Sequence, residues 1–493
     1  MKVKSCYKME SGLRLGQEGI HACQLGPFSS PIYFTAEEAA KLDITKEMII
    51  AKRKWIYDLL NDPVAETPCK HCDMVIEKDE SEVRFDQLGH LDIAATTTCN
   101  LRCDFCGYTH FDSFAEAKYD ELKILKLFNK GDVVWKAAVD FNGGEPTILK
   151  DFDEHIEYFH DRKIRVFLFT NGLVYKQSVF NAIENGTIRW CIVSLDAGTS
   201  ETYNRTKKST KYINVIENIA KYSVAGNGGG GQVAVKYIFT MNNITDDDIY
   251  GFVYTMIATK PQEIWLTFDF DPLCDIPADA ENFGGYDYSK HIDAYVKMYC
   301  LFMKHGVVPI HYAEKHLAPA SLHGKELLRI VKERINKIDF QNEANLDLSY
   351  DHRSEISQSI DEYEHIYFLK EGEIYSRDNK KIKLEGDFSL APASHNVDGY
   401  IRGLPKSINI KKIYDKDLIL NGKEIEGINV ENYNKSLLNF DQILIKAPEE
   451  IMPSILSSII SYNNKIKIVI DGSLNLIRQK KTKNQKIVPI KLL

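Results

Sequence analysis

Three cysteines within one short segment are the strongest chemical signal in the sequence. Cys99, Cys103 and Cys106 lie in TCNLRCDFCGY, with C-x3-C-x2-C spacing directly after a predicted strand. Three thiolates on one loop can hold three irons of a four-iron cluster and leave the fourth iron without a protein ligand. An open iron is what a chelating substrate or cofactor needs. The alternatives are a zinc ion, for which His110 is the local fourth ligand, or three cysteines of an ordinary core.

Four further cysteines precede this loop. Cys6 is followed by the segment Leu13–Cys23, which alternates around two glycines like a small hairpin and ends in Cys23; Cys69 and Cys72 then form a C-x2-C pair. Ten cysteines in 493 residues are too few to indicate a disulfide scaffold, and seven of them lie within the first 106 residues. Four thiolates are the count for a closed auxiliary iron–sulfur cluster. Zinc bound by the same four cysteines is the alternative.

A glycine-rich motif follows the next predicted strand. It reads Gly143-Gly144-Glu145-Pro146. Two adjacent glycines let the backbone approach a ligand closely, and the anionic Glu145 suits an ammonium group. Alone, this motif would be read as a turn before a helix. Its place at the end of the strand after the three-cysteine loop makes it a much more specific signal.

Together these motifs resemble the radical S-adenosylmethionine (radical SAM) superfamily, over roughly Leu91–Asp271. The resemblance implies a 4Fe–4S cluster held by the three loop cysteines, with the open iron chelated by the amino and carboxylate groups of S-adenosylmethionine (SAM). It also implies one-electron reductive cleavage of SAM to a 5′-deoxyadenosyl radical. The SAM-binding positions that it implies are Phe105, Gly143, Gly144, Glu145, Asn171, Ser194, Asp196 and Arg205.

The resemblance assigns different roles to these positions. Phe105 matches the residue that packs near the adenine, Ser194 and Asp196 match the ribose contacts, and Arg205 matches a contact to the methionine carboxylate. Asp196 as a helix cap and Arg205 as a surface charge are the alternatives. The small-residue pattern of the fifth strand is poorly kept in VAVKYIFTMNN, which puts adenine contacts from that strand in doubt.

The N-terminal cysteines resemble half of a SPASM/twitch auxiliary-cluster domain: a cysteine, a hairpin with glycine before a second cysteine, then a C-x2-C pair. The module departs from that family because it precedes the core and has a long gap before the pair. The resemblance implies a second 4Fe–4S cluster on Cys6, Cys23, Cys69 and Cys72.

Candidate catalytic residues follow the sixth predicted strand. Asp269 and Asp271 lie in FDFDP, and Cys274 comes just after it. They are candidates for contacting a substrate, although turn capping is equally consistent with the two aspartates. Cys191 and Cys300 are interpreted as core residues.

Strand and helix patterns alternate from His90 onward. The predicted strands are Leu91–Thr97, Ala137–Asn142, Arg165–Thr170, Arg189–Leu195, Gln232–Thr240 and Glu263–Phe270. Six repeated units imply right-handed crossovers and a parallel sheet. Six are fewer than the eight of a closed barrel, so the fold class is α/β with a partial (β/α)6 barrel. Ahead of the barrel, Thr35–Leu60 is predicted to be helical.

These patterns divide the chain into four parts. Residues 1–84 form the auxiliary cluster module, 85–320 the radical SAM core, 321–364 a helical linker and 365–493 a C-terminal domain. In the last, a strand at Phe440–Ile445, a helix at Pro448–Tyr462 and a strand at Ile466–Ile470 predict a small Rossmann-like α/β domain. It loosely resembles domains of nucleotide-sugar enzymes but lacks their phosphate-binding glycines, so docking or scaffolding is expected.

Composition excludes several classes of protein. The net charge of −8 argues against a nucleic-acid binder. There is no secretory signal and no apolar run long enough to cross a membrane, so a cytoplasmic protein is expected.

The sequence therefore predicts a radical SAM enzyme acting on a polar small molecule, a sugar or nucleotide-sugar. It does not resolve whether the reaction is an oxidoreduction, an epimerisation or an elimination. A SPASM-type maturase acting on a ribosomal peptide is the alternative. A non-catalytic iron–sulfur carrier or sensor is an alternative of another class. An enzyme of this kind needs a flavodoxin- or ferredoxin-type electron donor as its partner.

Overall fold

The structure is a computed structural model. The residues that it describes are 1–23, 30–72, 74–94, 96–107, 116–269, 273, 276–277, 280, 282–312, 322–338, 366–370, 373–376, 380–384, 387–391, 397–405, 408–415, 422–432, 442–445 and 467–471. They fall into two compact units, Met1–Ile338 and Asp339–Leu493.

The first unit is α/β. Its strands are β1 (Lys2–Ser5), β2 (Leu13–Gly16), β3 (Gly19–His21), β4 (Ile32–Thr35), β5 (Ile76–Asp79), β6 (Leu88–Ala94), β7 (Val133–Phe141), β8 (Arg165–Thr170), β9 (Ile188–Ser194), β10 (Gln232–Phe239), β11 (Glu263–Phe268) and β12 (Ile310–His311). Its helices are α1 (Tyr7–Ser11), α2 (Ala36–Lys41), α3 (Lys46–Asn61), α4 (Glu121–Leu125), α5 (Phe152–Asp161), α6 (Gln177–Glu184), α7 (Ser200–Lys207), α8 (Tyr212–Asn227), α9 (Asp246–Thr259), α10 (Ser289–Lys304) and α11 (Leu322–Lys337).

A ten-stranded sheet organises this unit, in the order β12-β11-β10-β9-β8-β7-β6-β2-β3-β4. Strands β6 to β11 are parallel neighbours in chain order, which confirms the six predicted strand–helix units. The predicted N-terminal hairpin is present as β2 and β3. Strand β2 also pairs in parallel with β6, so the N-terminal segment extends the sheet of the core.

The two faces of this sheet have different partners. On one face, aromatic side chains pack against helices, as Phe141 does against Phe152 of α5 with ring centroids 5.6 Å apart. On the other face, the ring of Trp265 on β11 stacks on Tyr312 at 5.1 Å. The charge of Asp140 on β7 in turn acts on Tyr312, which follows the edge strand β12. The edge strands β12 and β4 do not pair with each other in the described residues, so the sheet is open, as the predicted partial barrel requires.

Arg53 on α3 ties the N-terminal segment together. Its guanidinium is fully buried and donates to the carbonyls of Phe85 at 2.8 Å, Gln87 at 2.7 Å and Gly12 at 2.9 Å. These carbonyls flank β2 and β6, the two strands that join the N-terminal segment to the core. Since buried carbonyls need donors, the charged side chain is tolerated there because it satisfies three of them at once.

The second unit also contains a largely parallel sheet. Its elements are β13 (Ile366–Lys370), β14 (Glu373–Ser376), β15 (Lys381–Ile382), β16 (Asp387–Ala391), α12 (Val397–Gly403), β17 (Asn409–Asp415), β18 (Glu424–Ile425), β19 (Ile428–Asn432), β20 (Gln442–Ile445) and β21 (Lys467–Asp471). The strand order is β15-β14-β13-β21-β20-β16-β17-β19-β18. The six adjacent strands β13, β21, β20, β16, β17 and β19 are parallel. The two predicted strands are present as β20 and β21, and the helix predicted at 448–462 lies outside the described residues.

Within the part of the chain that the structure describes, no helix combines the length and the apolar character required to cross a lipid bilayer.

Replacing Arg53 by methionine tests the role of its buried guanidinium. Hydrogen bonds to charged groups contribute about 1.5–3 kcal/mol each, and the change removes the donor from three buried carbonyls. We expect the free energy of unfolding to fall by about 3–5 kcal/mol, measured by urea denaturation. Lys54→Met on the exposed side of α3 is the matched control and is expected to cost under about 0.5 kcal/mol. Equal effects of the two changes would contradict the assigned role.

Candidate functional site

The three-cysteine loop leaves the carboxyl end of β6. Cys99, Cys103 and Cys106 are half-buried free thiols. The Cys99 Sγ accepts hydrogen bonds from the Leu101 amide at 3.4 Å and from the Asn171 side-chain amide at 3.7 Å. Burial raises the pKa of Cys99 to about 11. The N–H donors counteract that effect because they favour the thiolate, which is the form that binds iron.

Helix α7 anchors the same loop through its last turn. The amide of Arg102 donates to the carbonyl of Lys207 at 3.3 Å, and the amide of Asp104 donates to that of Thr206 at 2.9 Å. The Asp104 carboxylate also accepts from the Asn242 side chain at 2.7 Å. The loop is thereby held on one side by the segment that follows β9.

The GGEP loop holds the cysteine loop on its other side. Gly144 and Glu145 donate their amides to the carbonyls of Thr96 at 2.6 Å and Thr98 at 2.9 Å. A Cβ on Gly144 would lie 2.1 Å from the Thr98 carbonyl oxygen, and Gly143 has φ of +105° with only 2.7 Å between a Cβ and the Thr96 oxygen. The two glycines therefore let one loop approach the other, in addition to any approach to a ligand.

Glu145 is buried at the centre of this arrangement, with 1% of its surface exposed. Its Oε1 accepts from the Thr147 amide at 3.1 Å and from the Thr147 and Thr170 hydroxyls at 2.5 and 2.7 Å, and its Oε2 accepts from the Asn171 amide at 2.7 Å. Burial raises the pKa of Glu145, and these four bonds oppose that rise. Because a carboxylate oxygen can accept about two bonds, Oε2 retains an acceptor position.

Asp196 and Lys207 form a buried ion pair beside the cysteine loop. The Lys207 Nζ lies 2.5 Å from Asp196 Oδ2, and Asp196 Oδ1 accepts from the Ile238 amide at 2.8 Å. Burial lowers the pKa of Lys207, but the charges of Asp196 and Cys103 outweigh it and leave the pKa raised. The ammonium also lies 4.8 Å from the ring centre of Phe105. Sequence reasoning missed Lys207, which resembles any lysine in the last turn of a helix.

Lys236 was also missed. It lies on β10 in register with Ser194 on β9 and Trp265 on β11, so the three side chains share one face of the sheet. Burial lowers its pKa, while the charges of Asp196 and of the loop thiols Cys103 and Cys106 act on the same ammonium. The signal in the sequence was the lysine that interrupts the apolar run VAVKYIF.

Arg205 is exposed on α7. Its guanidinium donates to the Asn242 carbonyl at 2.5 Å and to the Thr202 hydroxyl at 3.0 Å. Asn171 at the end of β8 donates its side-chain amide to Asn100 at 2.7 Å as well as to Cys99. The expected carboxylate contact of Arg205 remains a prediction.

The four N-terminal cysteines line one cavity. Cys6, Cys23, Cys69 and Cys72 surround it together with apolar side chains. Burial raises the pKa of Cys6 and Cys69, and the charges of the other cysteines act in the same direction. The nine cysteines that the structure describes are free thiols. Residues far apart in the sequence are thus brought together as one candidate ligand set.

The remaining candidates divide into described and undescribed residues. Asp269 is half-buried directly after β11. Asp271, Cys274 and His110 lie outside the described residues, so their expected roles stay predictions. Cys191 on β9 is completely buried, in agreement with its interpretation as a core residue.

Comparison with known proteins identifies this arrangement. The family model of the radical SAM superfamily matches residues 93–253. These residues form a radical SAM domain. Radical SAM proteins are enzymes whose cofactors are a 4Fe–4S cluster and SAM, and the three loop thiols with the adjoining buried carboxylate fit both.

Individual relatives of this chain are distant. A GTP 3′,8-cyclase of Clostridium botulinum (strain Okra / Type B1) is 26% identical over 190 residues, which are 37% of this chain and 56% of the cyclase. An S-adenosylmethionine-dependent nucleotide dehydratase of Selenomonas ruminantium is 31% identical over 78 residues, 16% of this chain and 27% of the dehydratase. The chain thus spans about half or less of the length of these curated relatives.

Among solved structures, SuiB of Streptococcus suis bound to S-adenosylmethionine matches with a TM-score of 0.36. The sequence identity is 17%, and the match covers 57% of this chain and 62% of SuiB.

Replacing Gly144 by alanine tests the contact between the two loops. The new Cβ would force the Thr98 carbonyl away, so we expect a loss of about 1–3 kcal/mol in stability and less iron retained by the three-cysteine loop. Gly131→Ala, which meets no atom within 4 Å, is the control. Iron per chain and the unfolding temperature are the measurements. Equal iron content in both variants would show that the loops do not depend on their close approach.

Proposed function

We propose that the protein reductively cleaves SAM and uses the resulting 5′-deoxyadenosyl radical to abstract hydrogen from a polar small molecule of the sugar or nucleotide class. The observation that carries the first part is the hydrogen-bonded pair of loops at the carboxyl ends of β6 and β7. One loop supplies three thiols, and the other supplies a buried carboxylate. Parallel sheets bind ligands at this end of their strands.

Glu145 and Lys236 are suited to the two charged groups of the methionine part of SAM. The Oε2 atom of Glu145 keeps an acceptor position that an ammonium can fill. Lys236 shares a face of the sheet with Ser194, and the charges of Asp196, Cys103 and Cys106 act on its ammonium, so Lys236 is suited to the carboxylate of SAM. Lys236 is therefore a better partner for that carboxylate than Arg205, whose guanidinium is exposed and bonded to Asn242.

Ser194 and Asp196 are both expected to contact the ribose of SAM, but their positions in the structure differ. The Asp196 carboxylate already holds Lys207 and the Ile238 amide. Ser194 lies on the face of the sheet that also carries Lys236. We assign the ribose contact to Ser194, and we assign Asp196 to positioning Lys207 under the ring of Phe105.

The inner face of the sheet favours a polar substrate. One row of register partners runs through Arg14, Asp92, Asp140, Phe167 and Trp190. Its first part is charged, with Arg14 and Asp92 paired at 2.9 Å. Its second part is aromatic, with the rings of Phe167 and Trp190 centred 5.1 Å apart.

Charged groups beside aromatic rings can bind hydroxyls or phosphates together with a flat or apolar ring face. Two of the relatives, the GTP 3′,8-cyclase and the nucleotide dehydratase, are named for nucleotide substrates. Both observations support a substrate of the sugar or nucleotide class.

The cavity of the four N-terminal cysteines supports an auxiliary 4Fe–4S cluster. Four free thiols from three separate segments meet there. Four thiolates match the ligand number of a closed cluster. Such a module also occurs with peptide maturation, so a peptide substrate is the second candidate that the experiment must separate.

The experiment measures 5′-deoxyadenosine formed by anaerobically reconstituted protein with a reductant and SAM. We expect formation by the wild type and none by a variant with Cys99, Cys103 and Cys106 replaced by alanine. Nucleotides and nucleotide-sugars are expected to increase the yield. An active triple variant would overturn the assignment of the cluster. Stimulation by peptides alone would overturn the substrate class and leave the radical chemistry intact.

SAM affinity tests the two charged contacts. Charge-assisted hydrogen bonds contribute about 1.5–3 kcal/mol, so Glu145→Gln and Lys236→Met should each weaken SAM binding by about ten- to a hundredfold. Anaerobic isothermal titration gives the dissociation constants, and cluster absorbance should survive because the thiols are unchanged. Arg205→Met is the control for Lys236→Met, because it also removes one positive charge. This variant should bind SAM like the wild type. A larger loss in Arg205→Met than in Lys236→Met would restore the role expected for Arg205.

Metal analysis separates the auxiliary cluster from zinc. In the double variant Cys69→Ala, Cys72→Ala, we expect about four fewer irons per chain. The cluster of the three-cysteine loop should be retained. Stability should also fall, because metal binding contributes free energy of folding. Unchanged iron with loss of zinc would make the N-terminal site structural.

A further inference from the structure

A second group of ligand-type side chains lies away from the cysteines. Glu121 is the first residue of α4, Asp151 precedes α5, and His155 lies in the first turns of α5. One carboxylate oxygen of each acid and one ring nitrogen of His155 lie within 4.8 Å of one another. Among the described residues, no other three histidine, cysteine or acidic side chains converge this closely.

Two of the three side chains are buried, which distinguishes this group from an acidic patch on the surface, whereas the Asp151 side chain is 38% exposed. Glu121 is 8% exposed and His155 is 1% exposed. The Nδ1 atom of His155 lies 3.0 Å from the Asp151 carbonyl, whereas its Nε2 is buried without a hydrogen-bond partner. If Nδ1 carries the proton and donates it to that carbonyl, Nε2 has a free lone pair. Metal-binding histidines commonly adopt this tautomer. Because buried polar atoms are nearly always satisfied, this nitrogen indicates a missing partner.

The charges in the group are also poorly balanced. Burial raises the pKa of Glu121 to about 7, and the charge of Asp151 adds to that rise. The Asp151 carboxylate lies 3.6 Å from His155 Nδ1, and burial lowers the pKa of that imidazole. In the described part of the chain, neither carboxylate forms an ion pair with a lysine or arginine. A cation would neutralise both carboxylates and bind the neutral imidazole.

We propose that Glu121, Asp151 and His155 bind one divalent transition-metal ion. Two carboxylates with one imidazole suit ions such as Mn²⁺ or Fe²⁺, which accept oxygen and nitrogen ligands together. The ion would connect the start of α4, which follows the three-cysteine loop, to the start of α5, which follows the GGEP loop. It would therefore brace the two loops from outside the cluster site, and it requires no ligand from either loop.

Titration of the full-length, cluster-reconstituted protein with Mn²⁺ tests this site. Mn²⁺ is the probe because thiolates, which line the cluster sites, are poor ligands for it. After treatment with a chelator, the loss of the free Mn²⁺ electron paramagnetic resonance signal reports binding. We expect saturable binding of one Mn²⁺ per chain and a rise in the unfolding temperature on binding.

Isosteric variants identify the ligands. Glu121→Gln and Asp151→Asn should each weaken Mn²⁺ binding by roughly a hundredfold. Glu154→Gln removes the same charge from an exposed position of α5 and should bind like the wild type. Asp151 makes no side-chain capping bond, so Asp151→Asn remains informative if Glu121→Gln fails to fold. No saturable binding by the wild type, or equal weakening in Glu154→Gln, would overturn the proposal.

Discussion

The close approach of two loop backbones is the constraint on which the rest of the site depends. The amides of Gly144 and Glu145 reach the carbonyls of Thr96 and Thr98, and a side chain at Gly144 would occupy the space of the Thr98 carbonyl. The first loop carries the three thiols, and the second carries the buried carboxylate. Their separation is therefore set by hydrogen bonds between backbone atoms, which have less conformational freedom than long side chains.

Glu145 extends this constraint to the third parallel strand. Its carboxylate accepts from the Asn171 amide, while the Asn171 side chain donates to the Cys99 sulfur and to Asn100. Strands β6, β7 and β8 thus meet through one carboxylate and one amide. A buried carboxylate is costly without such donors. The four hydrogen bonds that compensate its burial also fix the direction of the carboxylate, so the stability of the loop and the orientation of Glu145 have the same origin.

The sequence predicted features that depend on local spacing. The three-cysteine loop, GGEP and the six parallel strands were all recognisable because their residues are neighbours in the chain. The single helix predicted at Thr35–Leu60 is instead two, α2 and α3, because Thr35 and Thr45 each cap a helix. Lys207 could not be predicted, and the sequence marked Lys236 only as a lysine within an apolar run, since only the folded sheet and α7 bring the two side chains beside the cysteine loop.

The N-terminal segment adds to the sheet a part that the family model does not match. Arg14 comes from β2, well ahead of residues 93–253, and it pairs with Asp92, which directly precedes them on β6. Asp92 also accepts from Asn142 at 2.7 Å, just before the GGEP loop. The residue that balances the charge of this inner carboxylate is thus supplied by a part of the chain that the family pattern does not contain. A core transplanted without β2 would therefore leave the buried Asp92 carboxylate without its Arg14 partner, so the charge of the inner face depends on the N-terminal segment as well as on the core.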